Sequence, residues 1–242
     1  MGMAKILEVK DLSVSFDDTQ VIRDLNFTLD EGDHLAIIGP NGSGKTVLLR
    51  ALLNIVPYQG DILWRPGIRL GYVPQKIDAD RHLPLTMENL LLAKARVLRL
   101  TSSAVAHVKQ TLGLTEALIK TPVGHLSGGQ FQKALIAFAL LGSPNVILFD
   151  EPTASLDQLT EEHVYELVDE LRKQHRITMI LVSHELSVVS RFATTVLCLN
   201  KEAVCYGPPK EVLNPRVLEK LYGTPQKFHT HGHAHGRPRH GV

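Results

Sequence analysis

Gly39, Pro40, Asn41, Gly42, Ser43, Gly44, Lys45 and Thr46 fit the pattern G-x-x-x-x-G-K-S/T. That pattern is built for phosphate. Its glycines let backbone N–H groups converge on phosphate oxygens, its lysine reaches the β- and γ-phosphates, and its threonine hydroxyl binds Mg²⁺. Further along, the apolar run Val146 to Phe149 ends in two acids, Asp150 and Glu151. At the C-terminal edge of a parallel sheet, Asp150 would lie beside the phosphate loop and hold Mg²⁺ through its water shell. Glu151 is then placed as a general base that polarises an attacking water. Together these residues predict binding and hydrolysis of a nucleoside triphosphate. A third group stands apart. His229, His231, His233 and His235 alternate with Thr, Gly and Ala, and His240 follows. Such a flexible imidazole array suits Zn²⁺, and also Ni²⁺ or Cu²⁺; a solvated tail without a metal role is the other reading.

The elements that must position these residues are legible from hydrophobic period. Ile6 to Phe16 and Val21 to Leu29 alternate in part and read as an antiparallel pair, broken by polar residues 17–20. His34 to Ile38 is short and almost wholly apolar, as a strand buried on both faces should be, and it runs straight into the phosphate loop. Residues 46–54 read as the helix that follows. Asp61 to Trp64, Leu70 to Val73, Val146 to Phe149 and Thr178 to Val182 read as further strands, with an amphipathic helix over 160–174. Residues 85–116 turn helical, and another helix follows Ser127. The closing region carries a hairpin, a short helix near Glu211 and a polar tail from about Gln226. This alternation predicts an α/β fold with an antiparallel β subdomain and a helical subdomain inserted at about residues 76–145, and with the phosphate loop it resembles a P-loop NTPase (RecA-like) core. One nucleotide-binding domain would span 1–228, and the histidine tail 229–242.

Composition narrows the function. A chain of 242 residues with 26 Lys+Arg against 25 Asp+Glu, a net charge of +1, gives no reason to expect a nucleic-acid partner. The longest apolar stretch, Ala134 to Gly142, falls far short of the ~18 residues that a membrane span needs. The first residues lack the apolar core of a signal peptide, so neither secretion nor a bilayer crossing is expected. Cys198 and Cys205 exclude a zinc finger or a disulfide framework. They sit in strand-like stretches on either side of a turn, where buried apolar thiols are a better reading than a pair facing across a hairpin.

Between the two phosphate motifs stand Leu126, Ser127, Gly128, Gly129 and Gln130. With the phosphate loop, this run resembles the ATP-binding-cassette ATPases over residues 4–225, with every motif in the family's order. The resemblance implies that Phe16 stacks on adenine and that Gln75 senses Mg²⁺ and the attacking water. It implies that Ser155 and Asp157 lie in a loop linking two sites of a dimer, and that His184 contacts the γ-phosphate. Ser127, Gly128, Gly129 and Gln130 would form a second anion cradle at a helix N-terminus, serving the ATP held by the other subunit. An ATP-bound homodimer with Mg²⁺ at each site follows. Three positions depart from the family pattern. Val47 replaces a second hydroxyl residue, and Lys133 and Phe138 stand where Arg is common. A lost charge at Phe138 is expected to weaken packing or charge balance around the signature helix.

One cassette without a membrane span implies separate transmembrane permease subunits, with this chain on the cytoplasmic face of the cell membrane. An importer would also use a substrate-binding protein. Residues 83–89 would receive the permease. The tail makes a divalent metal, zinc or manganese, the expected cargo; a non-metal cargo and a soluble cassette ATPase outside transport are the alternatives.

Overall fold

The computed structural model describes residues 4–75, 84–153, 156–175 and 177–223. Ser155, the opening of the insertion at 76–83 and the histidine tail lie outside the described residues. In chain order the elements are β1 (Lys5–Phe16), β2 (Thr19–Asp30), β3 (His34–Ile38), α1 (Lys45–Leu52), β4 (Gln59–Trp64) and β5 (Leu70–Val73). Then come α2 (Met87–Val97), α3 (Ser102–Thr111), α4 (Glu116–Ile119), a 3₁₀ turn (Val123–His125) and α5 (Gly128–Leu140). The chain continues through β6 (Val146–Asp150), α6 (Gln158–His175), β7 (Thr178–Val182) and α7 (Leu186–Phe192). It closes with β8 (Thr195–Asn200), β9 (Glu202–Gly207), α8 (Pro209–Val212) and α9 (Pro215–Tyr222).

Two sheets organise the core. The first, in order β2-β1-β4, is antiparallel. The second, in order β5-β6-β7-β3-β8-β9, is parallel except for β9. Ile6, Leu7, Val9, Leu12 and Val14 of the first sheet pack with Leu35, Ile37, Leu48, Leu49, Leu148 and Ile180 in one buried cluster. Every residue of β6 is buried, as a parallel strand covered on both faces requires. The C-terminal ends of β3, β6 and β7 therefore open on one edge of the sheet, where such folds bind ligands.

The helices between β5 and β6 pack as one group. Met87, Leu91, Val105, Ile119, Leu135 and Ile136 share a cluster that reaches Phe149 in β6. Thr86 caps α2 in a reciprocal capping box with Asn89. Phe138 answers the sequence expectation in an unexpected way. Lys94 of α2 places its ammonium 4.3 Å from the Phe138 ring centroid and donates to the Phe138 carbonyl oxygen in the last turn of α5. A cation from a neighbouring helix thus stands by the Phe138 ring and satisfies a helix-terminal carbonyl. Burial pushes the Lys94 pKa down.

The cysteine expectation is corrected. The antiparallel β8–β9 register sets Cys198 directly opposite Cys205, with Cα atoms 4.8 Å apart, and the two form a disulfide. Spacing in the sequence does not fix the register of a hairpin, so the pairing was not readable from it. Sequence patterning also does not reveal α7 and α9, which are short. Asn214 caps α9, Pro215 opens it, Gly223 closes it in a left-handed conformation, and Leu218 and Leu221 bury against Ala36 and Ile38.

Replacing Lys94 with Ala removes a charged donor from the α5 carbonyl and should lower stability by about 2 kcal/mol. The expected reading is a lower urea midpoint at unchanged slope. An unmoved midpoint would show that Lys94 does not hold α2 to α5.

Candidate active site

The phosphate loop is shaped by what its glycines must avoid. A Cβ on Gly39 would lie 2.0 Å from the Leu199 carbonyl oxygen at the end of β8. Gly44 has φ 101° and caps α1; a Cβ there would press on Ile22 and Val21 at 3.1–3.3 Å. Only glycine meets both demands. The Lys201 N–H donates to the Ser43 carbonyl oxygen at 3.2 Å, so the β8–β9 turn also braces the loop. Ser43 Oγ is buried, without a hydrogen-bond partner among the described residues.

Lys45 sits under this arch with only 6 % of its side chain exposed. Its ammonium donates to the carbonyl oxygens of Gly39 (2.9 Å) and Pro40 (3.1 Å) and lies 3.8 Å from Glu151 Oε1. Burial pushes its pKa down, opposed by Glu151 and Asp150. Thr46 Oγ1 donates to Asp150 Oδ1 at 3.0 Å, across β7, which separates the strands that carry the two motifs. Asp150 Oδ2 accepts from Tyr72 OH at 3.2 Å. Burial raises the Asp150 pKa and drives the Tyr72 pKa up to about 12. Tyr72 is a site residue that no motif or spacing singles out.

Glu151 follows directly, with φ 47°, a left-handed conformation unusual for a non-glycine residue and a mark of imposed local geometry. That backbone turns its carboxylate toward two partners. Gln75 Nε2 donates to Oε2 at 2.8 Å, and His184 Nε2 lies 2.5 Å from Oε1. Asn41, Gly42, Ser43, Gly44, Lys45, Thr46, Val47, Gln75, Glu151 and His184 line one cavity of about 740 Å³, within the range of ligand pockets. Gathered from four separate stretches of chain, the phosphate loop, Gln75, Glu151 and His184 meet in one place. Val47 presents an apolar side chain where a hydroxyl was missing from the pattern.

Other expected residues lie elsewhere. Phe16 is 41 % exposed at the tip of the β1–β2 hairpin and does not line this cavity, although Val21 of the same hairpin does. Ser127 caps α5: its hydroxyl accepts from the Gln130 N–H, and Gln130 Oε1 accepts from the Ser127 N–H. A Cβ on Gly128 would meet Leu156 at 2.8 Å, and one on Gly129 would meet Thr160 at 2.5 Å. These two glycines therefore let α5 approach the start of α6 within the same chain. Asp157 caps α6 through Thr160 N (3.1 Å) and Thr160 Oγ1 (2.7 Å).

A parallel sheet carrying a phosphate loop, a strand-end Asp-Glu pair and a facing histidine defines a P-loop nucleotide hydrolase. Residues 22–154 match the model of the ABC transporter family, and the chain belongs to that family, as an ABC ATPase subunit. It is 38% identical over 220 residues to the zinc import ATP-binding protein ZnuC of Jannaschia sp. (strain CCS1), covering 90% of this chain and 89% of that one. It is 33% identical over 241 residues to ZnuC of Pasteurella multocida (strain Pm70), covering 98% and 90%. Among solved structures, one described as an inward-facing metal-chelate type ABC transporter superposes with TM-score 0.82 at 29% identity, covering 91% and 90% of the two chains. The cbiO1 chain of Clostridium perfringens, part of the cbiONQ transporter complex, gives TM-score 0.75 at 26% identity, covering 90% and 94%.

Gly39→Ala should displace the phosphate loop from the end of β8, since the added carbon has no room against Leu199. ATP affinity should fall at least about tenfold, a loss of ~1.4 kcal/mol, while circular dichroism stays native. Wild-type affinity in this variant would show that the loop tolerates the shift.

Proposed function

We propose that this chain couples ATP hydrolysis to the import of a divalent metal, zinc or manganese, through separate permease subunits on the cytoplasmic face of the membrane. The observation that carries the catalytic part is the Glu151 carboxylate, held between Gln75 and His184 beside the phosphate loop. The relatives named as zinc importers support the cargo. Among the described residues no helix is long and apolar enough to cross a membrane, in keeping with a separate permease.

The residues present suit Mg²⁺. Among the described residues no group of three or more His, Cys, Asp or Glu could hold a metal alone. The Thr46 hydroxyl and the Asp150 carboxylate instead form a sparse oxygen set, the kind Mg²⁺ uses together with substrate phosphates. Thr46, Asp150 and Gln75 would hold the ion, which when bound neutralises phosphate charge. Lys45 and the loop N–H groups bind and orient the phosphates. Glu151 accepts a proton from the attacking water, Gln75 and His184 fix the carboxylate, and His184 turns its ring to the γ-phosphate. Phe16 stacks on adenine. Ser127, Gly128, Gly129 and Gln130 serve the ATP of the second subunit, so two chains close head to tail on two nucleotides, with Ser155 and Asp157 linking the sites. A substrate-binding protein delivers the metal, and the tail histidines His229, His231, His233 and His235 bind Zn²⁺ beyond a domain ending at about residue 228.

Glu151→Gln keeps the shape of the side chain but removes the base. Turnover should drop about 10²–10⁴-fold, while ATP still binds and the ATP-bound dimer accumulates in size-exclusion chromatography. Near-normal turnover would take Glu151 out of the base role.

Deleting residues 229–242 should leave basal ATPase near normal and reduce the Zn²⁺ bound at neutral pH in calorimetry. Binding by the full chain should weaken as pH falls through about 6.5, where protons compete for the imidazoles. Equal zinc uptake by both proteins would remove the tail from metal binding.

A further inference from the structure

Each oxygen of the Asp150 carboxylate has its own donor. Thr46 Oγ1 donates to Oδ1 at 3.0 Å, and Tyr72 OH donates to Oδ2 at 3.2 Å. Asp150 is only 2 % exposed, so a donor lost here is not made up by bulk water. The sheet explains how a tyrosine comes to fill this place. β5 and β6 run parallel with Tyr72 paired to Leu148, two residues before Asp150. Successive strand residues face opposite ways, so Tyr72, Leu148 and Asp150 share one face of the sheet. On that face the Tyr72 side chain packs against the cluster that holds Leu48, Leu49, Leu148 and Ile180. Its hydroxyl is carried past Leu148 to the strand end, a reach that a small polar side chain at position 72 does not have. Phenylalanine would fill the same space in the cluster. Packing therefore accounts for the ring and leaves the hydroxyl to be explained.

We propose that Tyr72 is a positioning residue for the Mg²⁺ site: its hydroxyl fixes the plane of the Asp150 carboxylate, so that Asp150 and Thr46 present their oxygens to the ion together. The last torsion of an aspartate is soft and broad, so a carboxylate held at one oxygen still pivots about that contact. A donor on the other oxygen removes the freedom. Thr46 cannot supply both, since a hydroxyl has one proton and that proton goes to Oδ1. Tyr72 does not line the nucleotide cavity, and its effect passes through Asp150. Outer partners of metal-holding side chains act in this way, and their loss costs about 10- to 100-fold in metal affinity or activity.

The proposal rests on the reading of Asp150 as a residue that holds Mg²⁺, and the experiment keeps the two apart. Binding of the non-hydrolysable analogue AMP-PNP to the full-length chain is measured by calorimetry, once in Mg²⁺ and once in EDTA. The wild-type chain should bind more tightly in Mg²⁺. Tyr72→Phe should lose about tenfold of its affinity in Mg²⁺ and none in EDTA. The Mg²⁺ concentration for half-maximal ATPase should rise by the same factor. Tyr72→Leu also removes ring packing, so its urea midpoint should fall below that of Tyr72→Phe while its affinity in Mg²⁺ falls no further. Wild-type affinity in Mg²⁺ for Tyr72→Phe overturns the proposal. So does a loss that is equal in EDTA, or one that grows from Phe to Leu and so follows packing. Asp150→Asn is measured alongside. If it loses the gain from Mg²⁺ while Tyr72→Phe matches wild type, the positioning role fails and the metal reading stands. If Asp150→Asn keeps the whole gain, or the wild-type chain shows none, the metal reading falls and takes the proposal with it.

Discussion

An ammonium group taken out of water costs several kcal/mol unless charges or dipoles surround it, and Lys45 is such a group. The loop that covers it turns the Gly39 and Pro40 carbonyls inward, and the strand-end acids Asp150 and Glu151 add negative charge below. Each solution to that burial sets another constraint. Inward carbonyls force a tight arch, the arch needs Gly39 flush against β8, and β8 must therefore sit beside β3 in the sheet. The counter-charges must arrive from β6, two strands away, which fixes β7 between the motifs. The order of the parallel sheet and the chemistry of the site answer to the same buried charge.

Around that centre the Glu151 carboxylate is held rather than merely present. Glu151 gains its direction from a left-handed backbone and from two partners delivered by different strands, Gln75 beyond β5 and His184 beyond β7. Gln75 is the last described residue before the helices between β5 and β6, and its amide donates to the Glu151 carboxylate. The insertion is itself tied to the core by α5, whose glycines 128 and 129 admit Leu156 and Thr160 at the start of α6. The same α6 carries Glu161 and Tyr165. α6 thus touches both α5 and the loop after β6.

Two of the positions that depart from the family pattern have describable surroundings. Lys94 brings a cation to the Phe138 ring from across the α2–α5 interface. Val47 lines the nucleotide cavity with methyl groups and leaves every charged member of the site in place.

Features that depend on near neighbours along the chain were legible before any fold was known. The phosphate loop declared itself because its glycines, lysine and threonine act within eight residues, between a buried strand and a helix. β3, β5 and β7 were legible to the residue because an apolar run of strand length has one use in a parallel sheet. Features that depend on residues far apart in sequence emerge only in the folded chain. The Cys198–Cys205 bond required a hairpin register, Tyr72 required β5 to lie beside β6, and Lys94 required two helices to cross. A periodic pattern states which face of an element is buried, and carries no term for what that face will meet.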